Sequence, residues 1–219
     1  MKSKNRPSRI GIVDYGMGNI RSVTKAIDHL GGCAFVSDQS EKLNQADALI
    51  LPGVGEFGHA VRELKNKKLF QFLREWIACE KPLLGICLGL QLLFERSEES
   101  QHANGLGVWK GTVRKFKFGK TLRHKIPHMG WNDVRFEKPC VLTKSLSNNS
   151  HFYFVHSYYV DPKDKRLTIG TTHYGTRVPA ILASQTTFGV QFHPEKSQKA
   201  GLKILKNFIG FVQKKRLKK

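Results

Sequence analysis

The sequence predicts an α/β fold: a mixed, largely parallel sheet flanked by helices, with an additional antiparallel β-rich part. Three observations carry this reading. Short apolar runs alternate with helix-period segments through the first hundred residues, turn-forming segments fall where those runs end, and beyond about residue 105 short alternating segments take over. Strands separated by helices imply parallel pairing through right-handed crossovers. Closely spaced alternating strands imply antiparallel pairing.

Ile10 to Val13 is a short buried-strand run, and Asp14 to Asn19 a turn. Arg21 to Leu30 reads as a helix stopped by Gly31-Gly32. Ala34 to Val36 is a weak second strand, and Ala48 to Leu51 a third, ended by Pro52-Gly53-Val54-Gly55. From Phe57 to Ala78, Val61, Leu64, Phe72, Leu73, Trp76 and Ile77 recur at helical spacing. Pro82 to Ile86 is the strand leading to Cys87, and Leu88 to Glu95 the helix leaving it. In such sheets functional loops gather at the strands' carboxyl ends. Tyr15 to Asn19, Pro52 to Gly55 and Cys87 all fall there.

The β-rich part comprises Val108 to Phe118, Trp131 to Phe136, Phe152 to Val160, Leu167 to Tyr174 and Ala180 to Ser184, expected to pack onto the same sheet. Phe188 to Phe192 is a strand delivering His193, and Lys199 to Val212 a closing amphipathic helix. At 219 residues the chain suits one domain over 9–213, with a basic N-terminal extension over 1–8 and a basic tail over 214–219.

No run of about 18 apolar residues occurs, so no membrane span is expected, and the charged N-terminus lacks the apolar stretch of a signal peptide. Cys33, Cys79, Cys87 and Cys140 show no close pairing, which argues against a zinc ribbon or a disulfide scaffold. The expectation is a cytoplasmic protein with no metal and no cofactor. The net charge of +20 is local: residues 110–128 hold seven Lys or Arg, residues 196–219 hold nine, and neither stretch has an acid. Such stretches suit nucleic acid or an acidic partner surface, or form a solvated face and a frayed tail. Neither carries the aromatic interleaving of an RNA-binding motif. Phe116 and Phe118, alternating with Lys115 and Lys117, read more cheaply as a half-buried strand.

The chemistry centres on Gly85-Ile86-Cys87-Leu88-Gly89. A glycine on each side of a reactive residue lets the backbone make a crowded strand-to-helix turn that lifts the side chain clear of the sheet. The N–H of Leu88 is then placed to donate to an oxyanion. Far downstream, Gln191-Phe192-His193-Pro194-Glu195 supplies an imidazole and a carboxylate two residues apart. In an extended segment these point to the same side, so Glu195 orients His193 and His193 faces Cys87, the logic of a catalytic triad.

Gly85 to Gln91 and Gln191 to Ser197 resemble the two signatures of class I glutamine amidotransferases. Asp14 to Asn19, Leu51 to Gly58, Pro127 to Asn132 and Tyr153 to Tyr158 resemble one branch of that family, the glutaminase subunits of imidazole glycerol phosphate synthases. Leu90, where methionine is common in the family, is a departure, as are the basic ends. The resemblance implies glutamine as substrate and Cys87, His193 and Glu195 as the triad. It implies an oxyanion hole of Leu88 and Val54, with Gly53, Gly55 and Gln91 binding substrate. It further implies a heterodimer partner, the synthase (cyclase) subunit, facing Asn19, Trp131 and Lys196, and at 219 residues no fused acceptor domain is expected. A paralogue feeding a sugar-modifying synthetase of surface polysaccharide formation, another cysteine hydrolase of the same fold, and a basic nucleic-acid-binding module with a vestigial site are the other readings.

Overall fold

The computed structural model describes residues 6–119 and 124–217. Residues 1–5 of the basic extension, 120–123 of the first basic stretch and 218–219 of the tail lie outside the described residues.

The parallel half follows the expected order. It runs β1 (Arg9–Val13), α1 (Ile20–His29), β2 (Cys33–Ser37), α2 (Ser40–Leu43), β3 (Ala48–Leu51), α3 (Phe57–Asn66), α4 (Leu69–Ala78), β4 (Leu83–Ile86) and α5 (Leu88–Gln91). The β-rich part comprises β5 (Phe94–Ser97), β6 (Trp109–Lys115), β7 (His128–Phe136), β8 (Ser150–His156), β9 (Tyr158–Pro162), β10 (Thr168–His173), β11 (Arg177–Ser184) and β12 (Thr187–Val190). Helix α6 (Gln198–Leu217) closes the chain.

One nine-stranded sheet has the order β2-β1-β3-β4-β12-β11-β10-β7-β8, and a three-stranded sheet the order β5-β6-β9. From β2 through β12 the neighbours in the large sheet are parallel, and from β12 to β8 antiparallel. Strands β1, β3 and β4 are buried on both faces, as continuous apolar runs require, while the edge strand β2 is partly exposed. Ile10, Ile12, Ile50, Leu84 and Ile86 pack towards α1 and α6, while Val13, Leu49, Leu51 and Leu83 pack towards α3, α4 and the small sheet.

Four expectations change. The helix over 57–78 is two helices, broken at Lys68, whose φ of 58° lies in the left-handed region. The helix over 88–95 stops at Gln91 because the buried run from Leu88 to Phe94 fits either structure by pattern, and β5 pairs with β6. The strand over 152–160 is two strands: Ser157 separates β8, in the large sheet, from β9, in the small one. The tail over 214–217 is the last turn of α6, held by Lys215 Nζ on the Glu80 carbonyl at 2.7 Å and by Arg216, whose guanidinium donates to the Arg6 carbonyl at 2.8 Å. Arg6 in turn grips Asp47 with two bonds of 2.8 Å. The cationic residues of that turn also suit a helix C-terminus.

Candidate active site

Strand β4 ends at Ile86, and the chain turns into α5 within one residue. Cys87 has φ 53° and ψ −107°, a strained conformation for a residue with a side chain, costing about 1–3 kcal/mol. The flanking glycines explain how the turn closes. A Cβ on Gly85 would stand 2.6 Å from the Gly89 carbonyl oxygen, and one on Gly89 only 1.8 Å from the Leu51 carbonyl oxygen. No side chain fits at either position, so the first turn of α5 lies directly against the ends of β3 and β4. The two glycines of the motif are therefore steric requirements of the elbow.

The Gly53-Val54-Gly55 loop is packed against this elbow. A Cβ on Gly53 would lie 2.9 Å from Leu88 Cβ and 3.1 Å from the Gly89 nitrogen. Tyr15, buried at the end of β1, anchors the loop's start by donating from its hydroxyl to the Pro52 carbonyl at 2.8 Å. Burial and the nearby Cys87 charge push the Tyr15 phenol far above its usual pKa, so it stays a donor. At the other end Glu56 accepts from the Gly58 and His59 N–H groups, both at 2.7 Å. Glu99, from beyond β5, accepts from the Phe57 N–H at 2.8 Å. Burial, with Glu56 close by, raises the Glu99 carboxyl above the ordinary range against that hydrogen bond. Nothing in the local sequence pattern marks Glu99 for this role.

Strand β12 lies beside β4, with Val190 opposite Ile86, and the Cys87 N–H donates to the Val190 carbonyl at 2.8 Å. This register brings the segment containing His193 to the elbow. Nδ1 of His193 meets Oε1 of Glu195 at 2.9 Å, and both side chains are almost fully buried. The contact forms as expected, but for a different reason. Pro194–Lys196 is a 3-10 turn rather than extended chain, and the turn folds Glu195 back onto the ring. His193 Nε2 is buried with no hydrogen-bond partner among the described residues, the free position a proton carrier needs. Burial opposes the imidazolium, but the Cys87 thiolate and Glu195 outweigh it and raise the His193 pKa to about 10. The neutral thiol has its own acceptor, the Val155 carbonyl at 3.9 Å.

The remaining expected residues divide. Asn19 donates to Glu195 Oε1 at 3.2 Å, so it braces the carboxylate that contacts His193. Trp131 is 48 % exposed and meets Tyr153 edge to face at 6.1 Å, which rules out a core aromatic. Lys196 places Nζ 5.9 Å from the same Tyr153 ring. Trp131 and Lys196 thus share one surface, and the backbone of Tyr153 joins it to His193 by accepting from the His193 N–H at 2.9 Å. Gln91 is buried rather than on a helix surface. Its Nε2 is committed to the Tyr158 carbonyl at 3.0 Å and to Gln191 at 3.3 Å, leaving only its Oε1 for a substrate. Cys33 and Cys79 are exposed, and Cys140 is partly buried. Among the described residues no group of three or more His, Cys, Asp and Glu is arranged to hold a metal ion, and no helix is long and apolar enough to cross a membrane.

A strained cysteine at a strand-to-helix elbow, facing a histidine backed by a carboxylate, suits nucleophilic acyl transfer. Comparison with known proteins narrows this. The family model described as glutamine amidotransferase class-I matches residues 11–211. A protein of Bacillus cereus (strain G9842), the imidazole glycerol phosphate synthase subunit HisH, is 48 % identical over 204 residues, covering 93 % of this chain and 95 % of its own. Its namesake in Bacillus thuringiensis (strain Al Hakam) is 47 % identical with the same coverage. In fold the chain resembles a putative GMP synthase protein of Thermoplasma acidophilum, with a TM-score of 0.73, 19 % identity, and 97 % and 98 % of the two chains covered. It resembles PurLQS of Thermotoga maritima equally, at a TM-score of 0.73 and 19 % identity over 94 % and 99 %. With the elbow, the buried His-Glu pair and a family match spanning nearly its whole length, the chain belongs to the class-I glutamine amidotransferases.

Proposed function

We infer that this chain is the glutaminase subunit of an imidazole glycerol phosphate synthase, acting in histidine biosynthesis. The observation that carries the reading is the near-full-length identity to HisH relatives, combined with a triad geometry competent for amide hydrolysis. That identity also favours histidine biosynthesis over a surface-polysaccharide pathway.

In this reading the Cys87 thiolate attacks the side-chain amide carbon of glutamine. The carbonyl oxygen becomes an oxyanion, received by the N–H groups of Leu88 and Val54. Proximity of the Gly53–Gly55 loop to Leu88 supports that assignment. His193 gives its Nε2 proton to the departing nitrogen, the C–N bond breaks, and ammonia leaves a γ-glutamyl thioester on Cys87. The neutral imidazole then takes a proton from water, whose oxygen attacks the thioester; glutamate departs and the thiolate returns. Glu195, braced by Asn19, holds the Nδ1–H throughout. Gly53, Gly55 and the Gln91 oxygen are the substrate contacts of this reading.

Ammonia released to water is protonated and ceases to be a nucleophile, so a cyclase subunit is proposed to receive it directly. The surface carrying Trp131, Lys196 and, through the triad, Asn19 is the proposed docking face. A cytoplasmic location belongs to the same reading. The test is glutamine hydrolysis by the purified chain, alone and with the imidazole glycerol phosphate cyclase and its nucleotide ligand. Strong activation by the cyclase is the expected result, and hydrolysis indifferent to it would move the chain to another acceptor.

A further inference from the structure

Beyond the triad, one buried polar chain ends on the nucleophile. Gln191 directly follows β12 and is fully buried. Because Val190 and Ile86 are in register, the next residues, Gln191 and Cys87, stand side by side. Nε2 of Gln191 donates to Sγ of Cys87 over 3.7 Å.

Which end of that amide faces the sulfur is fixed by its neighbours. The Tyr158 carbonyl only accepts, so Gln91 turns its Nε2 towards it at 3.0 Å. The same Nε2 donates to Oε1 of Gln191 at 3.3 Å. With its oxygen occupied there, Gln191 offers its NH2 to Cys87. The Tyr158 carbonyl takes a second donor, Nδ1 of His156 at 2.8 Å. His156 then presents Nε2 as an acceptor, filled by Nδ1 of His128 at 2.9 Å. Nε2 of His128 is filled in turn by Nδ2 of Asn132 at 3.2 Å. Every link has one donor and one acceptor, so both tautomers and all three amide orientations follow from a single carbonyl. Burial keeps both rings neutral, as the chain requires.

Buried polar side chains are ordinarily paired, and pairing alone implies no chemistry. Here the terminal partner is the reacting sulfur. A thiol has the Val155 carbonyl to donate to and gains little from an N–H aimed at it. A thiolate gains a charge-assisted hydrogen bond.

We infer that Gln191 is a further catalytic residue, its side-chain amide stabilising the Cys87 thiolate, with Gln91, the Tyr158 carbonyl and the His156–His128 pair positioning that amide. The inference rests on Cys87 as the nucleophile of the proposed glutaminase. Gln191 and the His193 imidazolium act on the same sulfur, and so on the negative charge that returns to it when the thioester is hydrolysed. The other titratable groups around the sulfur are His193, backed by Glu195, and Tyr15, with His156 beyond His193.

The test is the pH dependence of Cys87 alkylation by iodoacetamide, a neutral reagent, in the full-length chain. It is followed on the Cys87 peptide by mass spectrometry because Cys33 and Cys79, unlike the buried Cys87, are exposed and react as well. Gln191→Leu keeps the bulk and removes the donor. Its midpoint is expected to rise by about one to two pH units, the worth of a hydrogen bond to a charged group. The acid limb of the kcat/KM profile is expected to move up by the same amount. Gln91→Met leaves Gln191 in place but frees its oxygen, and a smaller shift in the same direction is expected; this variant carries the test if Gln191→Leu does not fold. An unshifted midpoint in the folded variant overturns the inference while leaving Cys87 as nucleophile. A wild-type Cys87 inert at every pH removes the nucleophile itself and the inference with it.

Discussion

In the parallel half of the large sheet, backbone touches backbone: a Cβ on Gly89 would sit 1.8 Å from the Leu51 carbonyl oxygen, and Cys87 holds a positive φ. In the β-rich part the close approaches lie away from the site, where a Cβ on Gly105 would stand 2.2 Å from the Phe94 carbonyl oxygen and one on Gly111 2.4 Å from the Asp161 carbonyl oxygen, while Gly107 and Gly130 meet nothing within 4 Å. Next to the site this part contributes side chains instead, through the hydrogen-bonded run from Asn132 to His156. The site stands where the two meet, at β12, which is parallel to β4 and antiparallel to β11. One half supplies a strained cysteine and closely packed backbone. The other supplies buried neutral groups that hold the surroundings still.

The comparison can be broken from either side, and the largest effect belongs to the elbow. Cys87→Ala is expected to lower glutamine hydrolysis by roughly 10⁴-fold or more without loss of fold, since the change removes a single sulfur atom. Glu195→Gln, which preserves shape but weakens the imidazolium, is expected to lower kcat by about 10²–10⁴-fold. Steady-state kinetics on the cyclase complex measures both. Residual activity within tenfold of wild type in Cys87→Ala would remove the thioester route.

Stability comes next. Gly89→Ala must displace the Leu51 carbonyl, and overpacking of this kind is expected to cost about 3 kcal/mol or more. Gly107→Ala, with open space but a φ of 67°, is expected to cost only about 1–2 kcal/mol. Urea midpoints of the two variants sharpen the contrast, and equal losses would dissolve it.

The β-rich part carries a pH signature of its own. Burial lowers the His128 pKa to about 4 and the His156 pKa to about 3, from an ordinary value of 6.5. Below pH 6.5 the unfolded chain takes up protons that the folded chain refuses, so the folded state loses stability as pH falls. The contribution is whole above 6.5 and is lost progressively down through about 4 and 3. His128→Phe keeps the ring stack on Phe154 and Tyr174 and removes one of these groups. Its urea midpoint is expected to fall less steeply than wild type between pH 6.5 and about 4, and identical slopes would contradict the account.

The smallest effect on the isolated chain, and a larger one on assembly, belongs to Trp131→Ala. Exposed at the surface, it is expected to change the chain's own stability by less than about 0.5 kcal/mol. Cyclase affinity is expected to weaken by about 2 kcal/mol if Trp131 anchors the interface. Unchanged affinity by titration calorimetry would move the docking face elsewhere.

What the sequence made legible follows the same division. Apolar runs bounded by Gly and Pro located β1, β3 and β4, because strands buried on both faces carry a strong local signal. The elbow was legible because its glycines are steric necessities. The breaks were not. Lys68 carries no helix-breaking signal, yet it takes the left-handed conformation. The alternation of Phe152, Phe154, Tyr158 and Val160 continues through the very residue where the chain changes sheets. The His193–Glu195 contact is expected from an extended segment and is made by a turn instead. The roles of Gln191, His128 and His156 depend on register between strands far apart in sequence, and no local pattern encodes that register.

The most direct test of the central claim is covalent labelling by a glutamine-shaped diazoketone, an electrophile that needs both a substrate pocket and an activated thiolate. Mass spectrometry of the treated chain is predicted to find the adduct on Cys87 alone, sparing the exposed Cys33 and Cys79, with labelling greatly slowed in His193→Ala. Labelling spread over the exposed cysteines, or Cys87 modified equally fast without His193, would contradict an activated triad at the junction of the two halves.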